Sequence, residues 1–201
     1  MMRILTICFA VATAFALPAH AATVGAPAPQ FTGSDSNGKT HRLSDYAGKT
    51  VILEWNNNQC PYVGKHYNSG NMQKLQADAT AQGIVWLAVI SSAPGTQGYV
   101  TPAEENDILK ERNAHPTAVL LDPSGTIGRA YGAKTTPNMY VIDASQKLVY
   151  QGAIDDKPSS DTASLQGAKN YVRQTLAELK AGKPISEPQT TPYGCSVKYD
   201  S

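Results

Sequence analysis

One cysteine in this sequence lies where a thiol becomes reactive. Cys60 and Pro61 follow an apolar run at residues 51–53 and a polar stretch at residues 56–59, and a helical pattern begins directly after them. The sequence therefore predicts a buried strand, a polar turn and a cysteine in the first turn of a helix. Unpaired N–H groups and the positive end of the helix dipole stabilise a thiolate there, which lowers the pKa of the thiol. We predict that Cys60 is a redox-active nucleophile; an inert, buried thiol is the alternative.

A second cysteine, Cys195, lies in a polar segment after Pro184 that predicts a flexible tail. Residues 186–194 span roughly 30 Å when extended, whereas a domain of this size has a radius of gyration of roughly 16 Å. The tail is therefore long enough to bring Cys195 to Cys60. We predict that the two cysteines pair, either as a nucleophile with its resolving cysteine or as a permanent staple. Two free thiols, or disulfides with other molecules, are the remaining alternatives.

The polar residues around Cys60 allow more than one role. Residues 56–59 either form a turn only or also hydrogen-bond a bound polypeptide. Lys65 and His66 follow Cys60 by five and six residues, and neither spacing places them on the cysteine's own face of the helix. We expect surface roles for both.

Residues 1–21 have the pattern of a secretory signal peptide. Arg3 precedes an apolar run at residues 4–17, and Ala19, His20 and Ala21 form a small-x-small cleavage site. The apolar run is too short to span a bilayer, which argues against a membrane anchor. We expect a periplasmic or secreted protein, and cleavage would leave two of the three cysteines in an environment that favours disulfides.

Length and charge restrict the class of protein. The 201 residues are 41% hydrophobic, which is enough for one globular domain with its own core. Without Arg3, the remaining Lys and Arg residues equal the 16 Asp and Glu residues, and no basic run remains. We therefore expect neither nucleic acid nor an anionic membrane as partner. His41 and His115 lack partners at metal-ligand spacing, so no metal or other cofactor is expected.

The pattern of elements predicts an α/β fold. Apolar runs at residues 51–53, 84–90 and 117–121 predict buried strands separated by helices, which implies parallel pairing. Strands at residues 139–143 and 148–152 are joined by a tight turn, which implies an antiparallel pair. We expect a mixed central sheet with helices on both faces and an N-terminal hairpin turning at Asn37 and Gly38. A helix broken near Ser69 and a last helix carrying the stripe from Leu165 to Leu179 complete the predicted domain, residues 22–184, which residues 185–201 follow as the tail.

Two segments carry a resemblance to a known superfamily. GKTVILEWNNNQCP (residues 48–61) resembles the strand that leads to the active-site cysteine of the thioredoxin superfamily. LLDPSGTIGRAYGAKTTPNMYVID (residues 120–143) is similar to its strand, helix, cis-proline and strand. Within the superfamily the sequence resembles exported redoxins of the AhpC/TSA, or peroxiredoxin-like, branch, and CPYV followed by KHY resembles one of its subgroups. The resemblance covers residues 26–182 and implies a thioredoxin-like fold.

The resemblance implies roles for Pro137 and Glu54. Pro137 stands where the family has a cis-proline that faces the active cysteine, keeps metals away and leaves the backbone of Thr136 to pair with an extended substrate. Glu54 matches the buried aspartate of thioredoxins, which moves protons beneath the disulfide. A carboxyl in an apolar strand also needs a partner or a role, and burial suits it to accept a thiol proton. A carboxylate paired only with a lysine or arginine is the alternative.

Four positions separate this sequence from the best-known members of the superfamily. Dithiol thioredoxins have a second cysteine three residues after the first, where this chain has Val63. Peroxiredoxins have proline and threonine at the positions of Leu53 and Asn57, and an arginine near the position of Pro137. The groups that orient a peroxide in peroxiredoxins are therefore missing from their usual places.

Three hypotheses for the function remain. The first is a thiol–disulfide oxidoreductase in which Cys60 reacts, Cys195 resolves and Glu54 handles the proton, with a thiol protein or a small thiol as partner. The second is a thiol peroxidase in which a hydroperoxide oxidises Cys60 to a sulfenic acid. The third is a non-catalytic binding module whose Cys60–Cys195 disulfide fastens the tail.

Overall fold

The computed structural model describes residues 22–200 as strands and helices around one central sheet; the predicted signal peptide lies outside these residues. The strands are β1 Thr32–Asp35, β2 Thr40–Arg42, β3 Val51–Trp55, β4 Val85–Ile90, β5 Ala118–Leu121, β6 Thr135–Thr136, β7 Asn138–Ile142, β8 Leu148–Gly152 and β9 Cys195–Ser196. The α-helices are α1 Pro61–Asn68, α2 Asn71–Thr80, α3 Pro102–Glu111, α4 Thr126–Tyr131 and α5 Tyr171–Lys180.

Seven strands form the sheet in the order β2-β1-β5-β4-β3-β7-β8. The three central strands β3, β4 and β5 are parallel, as the intervening helices predicted. β7 runs antiparallel to β3, β8 runs antiparallel to β7, and the N-terminal hairpin joins the other edge antiparallel to β5. The mixed sheet and the hairpin are therefore confirmed.

Side chains of β3 divide the core into two layers, because successive residues of a strand point to opposite faces. Leu53 and Trp55 pack against α4 and the N-terminal region. Ile52 packs with apolar side chains of α1, α2 and α5 on the other face. Helices therefore cover both faces of the sheet, and β3 is fixed from both sides where it leads to Cys60.

Two helix boundaries follow from local backbone geometry. The predicted break near Ser69 is confirmed, because Gly70 adopts a left-handed conformation (φ 73°) between α1 and α2. The last helix starts later than its apolar stripe predicts, so Leu165 lies before it in a separate turn of 3₁₀-helix. A left-handed Gly167 (φ 69°) ends that turn, and the side chain of Asn170 then caps α5.

The prediction of a flexible tail is wrong. Residues 188–200, here called the strap, run along the domain and bond to it repeatedly through the backbone. Gln151 N donates to Pro188 O at 3.1 Å, and Thr190 N donates to Gln151 O at 3.1 Å. Further along, β9 pairs with β6, and Ala93 N donates to Lys198 O at 2.8 Å. The flexible tail was predicted from the polar composition of this segment. Composition does not show backbone hydrogen bonds, and these hold the strap.

We expect Thr190 to be a main attachment of the strap. Its Oγ1 accepts a hydrogen bond from Ala153 N at 2.9 Å and bonds the hydroxyl of Tyr150 at 2.6 Å. Thr190→Val keeps the shape but leaves the amide of Ala153 without this partner, so the free energy of unfolding should fall by about 1–3 kcal/mol. Urea unfolding measures the change. The matched control is Thr191→Val at the exposed neighbouring threonine, which should change stability by less than about 0.5 kcal/mol; equal losses in both variants would contradict the expectation.

Candidate active site

Cys60 lies directly before helix α1, as the sequence predicts. It is the N-cap residue of α1, and Pro61 occupies the first helical position. The thiol is 1% exposed, and its Sγ donates to the carbonyl oxygen of Thr136 at 3.1 Å. The positive end of the helix favours the thiolate, whereas burial opposes it.

The polar turn before Cys60 uses its side chains inside the protein. Asn57 Oδ1 accepts from Gln59 N at 2.9 Å, and Asn57 Nδ2 donates to Gln97 O at 3.3 Å. Asn56 Nδ2 donates to the hydroxyl of Tyr67 at 3.1 Å. These bonds favour the turn-forming role of residues 56–59 over direct binding of a polypeptide.

The strap brings Cys195 to Cys60. In β9, Cys195 lies opposite Thr136 of β6, whose peptide bond to Pro137 is cis. The preceding Gly194 has φ 136°, and a Cβ there would lie 2.0 Å from the carbonyl oxygen of Thr136. Only glycine permits this close approach. Both cysteines are free thiols, and they share one hydrophobic cluster.

The two thiols influence each other's ionisation in opposite directions. Burial raises the pKa of Cys60, but hydrogen bonds with the Cys195 thiol, the Thr136 side chain and the backbone of Val63 lower the pKa below its ordinary value. Burial and the neighbouring Cys60 raise the pKa of Cys195 to about 11. The arrangement therefore favours a thiolate on Cys60 that accepts a hydrogen bond from a protonated Cys195.

Glu54 is fully buried in β3 and bound by neutral donors. Its carboxylate accepts from Tyr67 Oη at 2.8 Å, Trp86 Nε1 at 2.8 Å and Gln76 Nε2 at 3.1 Å. Burial raises the pKa of Glu54, and these three hydrogen bonds offset the rise only in part. None of the hydrogen bonds that the structure gives this carboxylate comes from a cysteine. The nearest hydrogen-bonded route towards the thiol runs through Tyr67 to Asn56, so proton transfer by Glu54 stays a prediction.

A second buried carboxyl lies near Glu54. The polar sequence of residues 104–112 predicts a short, exposed helix, yet the side chain of Glu105 on α3 is buried. Burial raises the pKa of Glu105 to about 7, against the attraction of Arg112. The guanidinium of Arg112 lies 4.4 Å from the ring centroid of Tyr67 and donates to Asn58 O at 2.9 Å. Through its hydrogen bond to Asn58, Arg112 therefore stabilises the turn before Cys60.

Lys65 and His66 are buried, so the expectation of surface roles is wrong. Lys65 Nζ donates to Lys157 O at 2.8 Å and to Tyr193 Oη at 3.0 Å, and lies 3.5 Å from the carboxylate of Asp155. The helical-face argument compared these residues only with Cys60. The strap and the segment after β8 cover the other face of α1, and the spacing from Cys60 carries no information about that face.

Comparison with known proteins identifies the family. A model of the AhpC/TSA family matches residues 24–151. The chain belongs to the AhpC/TSA family. The matched residues include Cys60 and Pro137 but end before the strap and Cys195.

Among curated relatives, the thiol-disulfide oxidoreductase ResA of Geobacillus thermodenitrificans (strain NG80-2) is 29% identical over 128 residues, which are 64% of this chain and 68% of the relative. ResA of Bacillus subtilis (strain 168) is 27% identical over 126 residues, 57% of this chain and 70% of the relative. Both matches cover more than half of this AhpC/TSA protein.

Solved structures confirm the thioredoxin-like fold. An uncharacterized conserved protein from Geobacillus kaustophilus has a TM-score of 0.77 at 25% identity, covering 89% of this chain and 93% of the other. A hypothetical protein from Sinorhizobium meliloti 1021 has a TM-score of 0.76 at 23% identity, covering 90% and 97%. A putative thiol:disulfide interchange protein DsbE from Chlorobium tepidum has a TM-score of 0.53 at 27% identity, covering 65% and 85%.

Within residues 22–200 of this AhpC/TSA protein, the structure gives no group of three or more side chains suited to hold a metal ion. In the same residues, no helix has the length and apolar character needed to cross a bilayer. The sequence analysis missed Asp155 and Tyr193, which surround Lys65. Tyr193 could have been found from the sequence, because an aromatic residue two positions before Cys195 is suited to anchor an otherwise polar segment to the domain.

We expect the pKa of Cys60 to depend on Cys195. In Cys195→Ala the pKa of Cys60 should rise, because the thiolate loses a hydrogen-bond donor. In Cys60→Ala the pKa of Cys195 should fall from about 11, because the neighbouring negative charge is removed. The ultraviolet absorbance of the thiolate as a function of pH measures both. Cys195→Ser keeps a hydroxyl donor and should give a smaller rise; an unchanged pKa of Cys60 in Cys195→Ala would contradict the expectation.

Glu105 should make the protein less stable as pH rises. Its pKa is about 7 when folded and its ordinary value is 4.5, so its stabilising effect is complete below pH 4.5 and is lost through pH 7. Glu105→Gln should therefore match the wild type in acid and exceed its stability by about 3 kcal/mol above pH 8. Urea unfolding at several pH values measures this. Glu111→Gln, on an exposed residue of the same helix, is the control and should leave the pH dependence as it is.

Proposed function

We propose that this protein is a thiol–disulfide oxidoreductase whose redox pair is Cys60 and Cys195. The Cys60 thiolate attacks a substrate disulfide, forms a mixed disulfide and releases one substrate thiolate, which takes up a proton. Cys195 then loses its proton and attacks the sulfur of Cys60, which releases the second substrate thiolate. Two electrons pass from the protein to the substrate. The reverse sequence oxidises a dithiol substrate.

One observation carries the proposal: Cys195 pairs with Thr136, the residue whose carbonyl oxygen accepts from the Cys60 thiol, and the pKa of Cys60 is lowered. The sulfur with the lower pKa attacks and leaves readily, because thiolates are both the nucleophiles and the better leaving groups of thiol–disulfide exchange. The raised pKa of Cys195 keeps the second thiol protonated until the mixed disulfide has formed. The two thiols therefore have the distinct ionisation that the two steps require.

The relatives named thiol-disulfide oxidoreductase support this proposal. The match to the AhpC/TSA family contains Cys60. A thiol protein or a small thiol is the proposed partner. We also propose an exported location, from the signal-peptide pattern of residues 1–21. Reversible disulfide chemistry is typical of such compartments. Glu54 and Pro137 belong to the proposal, Glu54 as a proton acceptor beneath the turn and Pro137 as the residue that shapes the backbone facing Cys60.

A thiol peroxidase is less well supported. Asn57 stands at the position of the peroxiredoxin threonine, and both ends of its side chain amide are already bonded within the protein. Rapid formation of a sulfenic acid on Cys60 at low peroxide would favour the peroxidase over the proposal.

The proposal predicts that Cys195→Ala accumulates a mixed disulfide with its partner, because the resolving attack is lost. Incubation with a disulfide-containing peptide, acid quenching and mass spectrometry measure the adduct. Cys60→Ala, the control, should accumulate at least tenfold less of it. An adduct on Cys195 that forms equally fast in Cys60→Ala would mean that Cys60 is not the attacking thiol.

The same pair should have the reduction potential of a working dithiol. We expect about −200 mV or higher, the range of catalytic disulfides, whereas a structural disulfide has a potential below roughly −300 mV. Equilibration with glutathione at several ratios, followed by alkylation of free thiols, gives the value. A potential below that limit, with no change in any exchange assay when Cys195 is replaced, would support the binding module with a structural disulfide.

A further inference from the structure

A buried polar cluster beneath the strap has no part in the exchange steps. Its members are Lys65, His66, Asp155 and Tyr193, and the side chains of Lys65 and Asp155 are 0% and 1% exposed. Removing an ammonium and a carboxylate from water is costly unless hydrogen bonds replace their hydration. Well-packed apolar side chains often stabilise a core as much as a buried ion pair does, so the cluster calls for a reason other than stability.

The hydroxyl of Tyr193 joins the two charged groups. It accepts from Lys65 Nζ at 3.0 Å and donates to Asp155 Oδ1. Its ring also packs edge-on against Tyr62, with centroids 5.9 Å apart. Tyr193 is therefore fastened through its hydroxyl and its ring to the same helix.

These residues connect the two halves of the redox pair. Lys65 lies in α1, the helix that begins directly after Cys60, whereas Tyr193 precedes Cys195 by two residues. Two extended residues span about 7 Å, so an anchored Tyr193 restricts where Cys195 can lie. Asp155 follows β8 and ties the connection to the sheet.

The ring of His66 adds no charge to the cluster near neutral pH. Burial lowers the pKa of His66 to about 4, so its ring is neutral there. Asn71 Nδ2 donates to His66 Nδ1 at 2.8 Å, which leaves the other ring nitrogen protonated and 3.8 Å from Asp155. One cation and one anion remain. The ion pair of Lys65 and Asp155 is thus the charged part of the cluster.

We propose that Lys65, Asp155 and Tyr193 form a latch that sets the effective concentration of Cys195 at Cys60. They are positioning residues for ring closure, in which the Cys195 thiolate attacks the Cys60 sulfur of the mixed disulfide. The Cys60–Cys195 bond forms, the bond to the substrate breaks, and the substrate sulfur leaves as a thiolate and takes up a proton; the substrate disulfide is the oxidant. A second thiol held in place reacts as an intramolecular group at high effective concentration. The inference rests on the proposed function for its role in catalysis.

The test is Tyr193→Phe, which removes the hydroxyl and keeps the ring. The equilibrium constant for forming the Cys60–Cys195 disulfide with oxidised glutathione should fall at least about tenfold, because the lost hydrogen bonds are to charged groups. Equilibration of the full chain with reduced and oxidised glutathione, then alkylation and mass spectrometry, measures this constant. The pKa of Cys60 in the reduced protein should also rise, because Cys195 is held less firmly beside it.

The matched control is Tyr199→Phe, another tyrosine of the strap. Its hydroxyl donates to Ala133 O at 2.8 Å and does not touch the ion pair. This variant should keep the glutathione equilibrium within about twofold and leave the pKa of Cys60 as it is, even if its melting temperature falls as much as that of Tyr193→Phe. Equal shifts of the equilibrium in both variants would mean that general order of the strap, not the latch, positions Cys195.

Asp155→Asn keeps the size of the side chain and gives an independent second variant. The latch predicts a shift of the glutathione equilibrium in the same direction as Tyr193→Phe. Wild-type equilibrium constants in folded Tyr193→Phe and Asp155→Asn would overturn the latch. The glutathione measurement needs no substrate, so a protein that exchanges no substrate disulfide yet loses its internal disulfide in Tyr193→Phe would overturn the proposed function and keep the latch.

Discussion

The pairing of β6 with β9 is the interaction on which the site depends. Thr136 contributes its carbonyl oxygen to the Cys60 thiol and its backbone to the strand that carries Cys195. One residue of a two-residue strand therefore sets the positions of both sulfurs. Its own position is fixed because the adjoining strand β7 pairs with β3, which ends five residues before Cys60. The central sheet thus transmits its rigidity to both thiols through backbone hydrogen bonds.

Sequence analysis recovered the parts of this arrangement that local patterns encode. The apolar run of β3, the proline after Cys60 and the glycine between α1 and α2 are signals within a few residues of the structure that they specify. The resemblance to thioredoxin-like proteins added Pro137, which is far from Cys60 in the chain. The mixed sheet followed from the lengths of the connections, since parallel strands need a crossover and antiparallel strands need only a turn.

The parts that were missed depend on contacts between distant segments. Lys65 has a sequence environment typical of an exposed helix, and its burial depends on Asp155 and Tyr193, which are 90 and 128 residues away. Glu105 is a similar case, because the polar sequence of α3 does not show which face of that helix is covered. A charged residue is buried only where its partners are, and partners at such separations leave no periodic signal. The strap was missed for the same reason.

In the proposed redox pair, the long separation of Cys60 and Cys195 along the chain links electron transfer to folding. A disulfide between them closes a loop that contains most of the domain, and closing such a loop in the unfolded chain raises the free energy of unfolding by about 5 kcal/mol on the chain-entropy model. By thermodynamic linkage, the extra free energy with which the folded chain favours the disulfide, compared with the unfolded chain, equals the increase in the free energy of unfolding of the oxidised chain. The oxidised chain should therefore be the more stable form, and each cycle of the proposed exchange passes the chain through its less stable, reduced form.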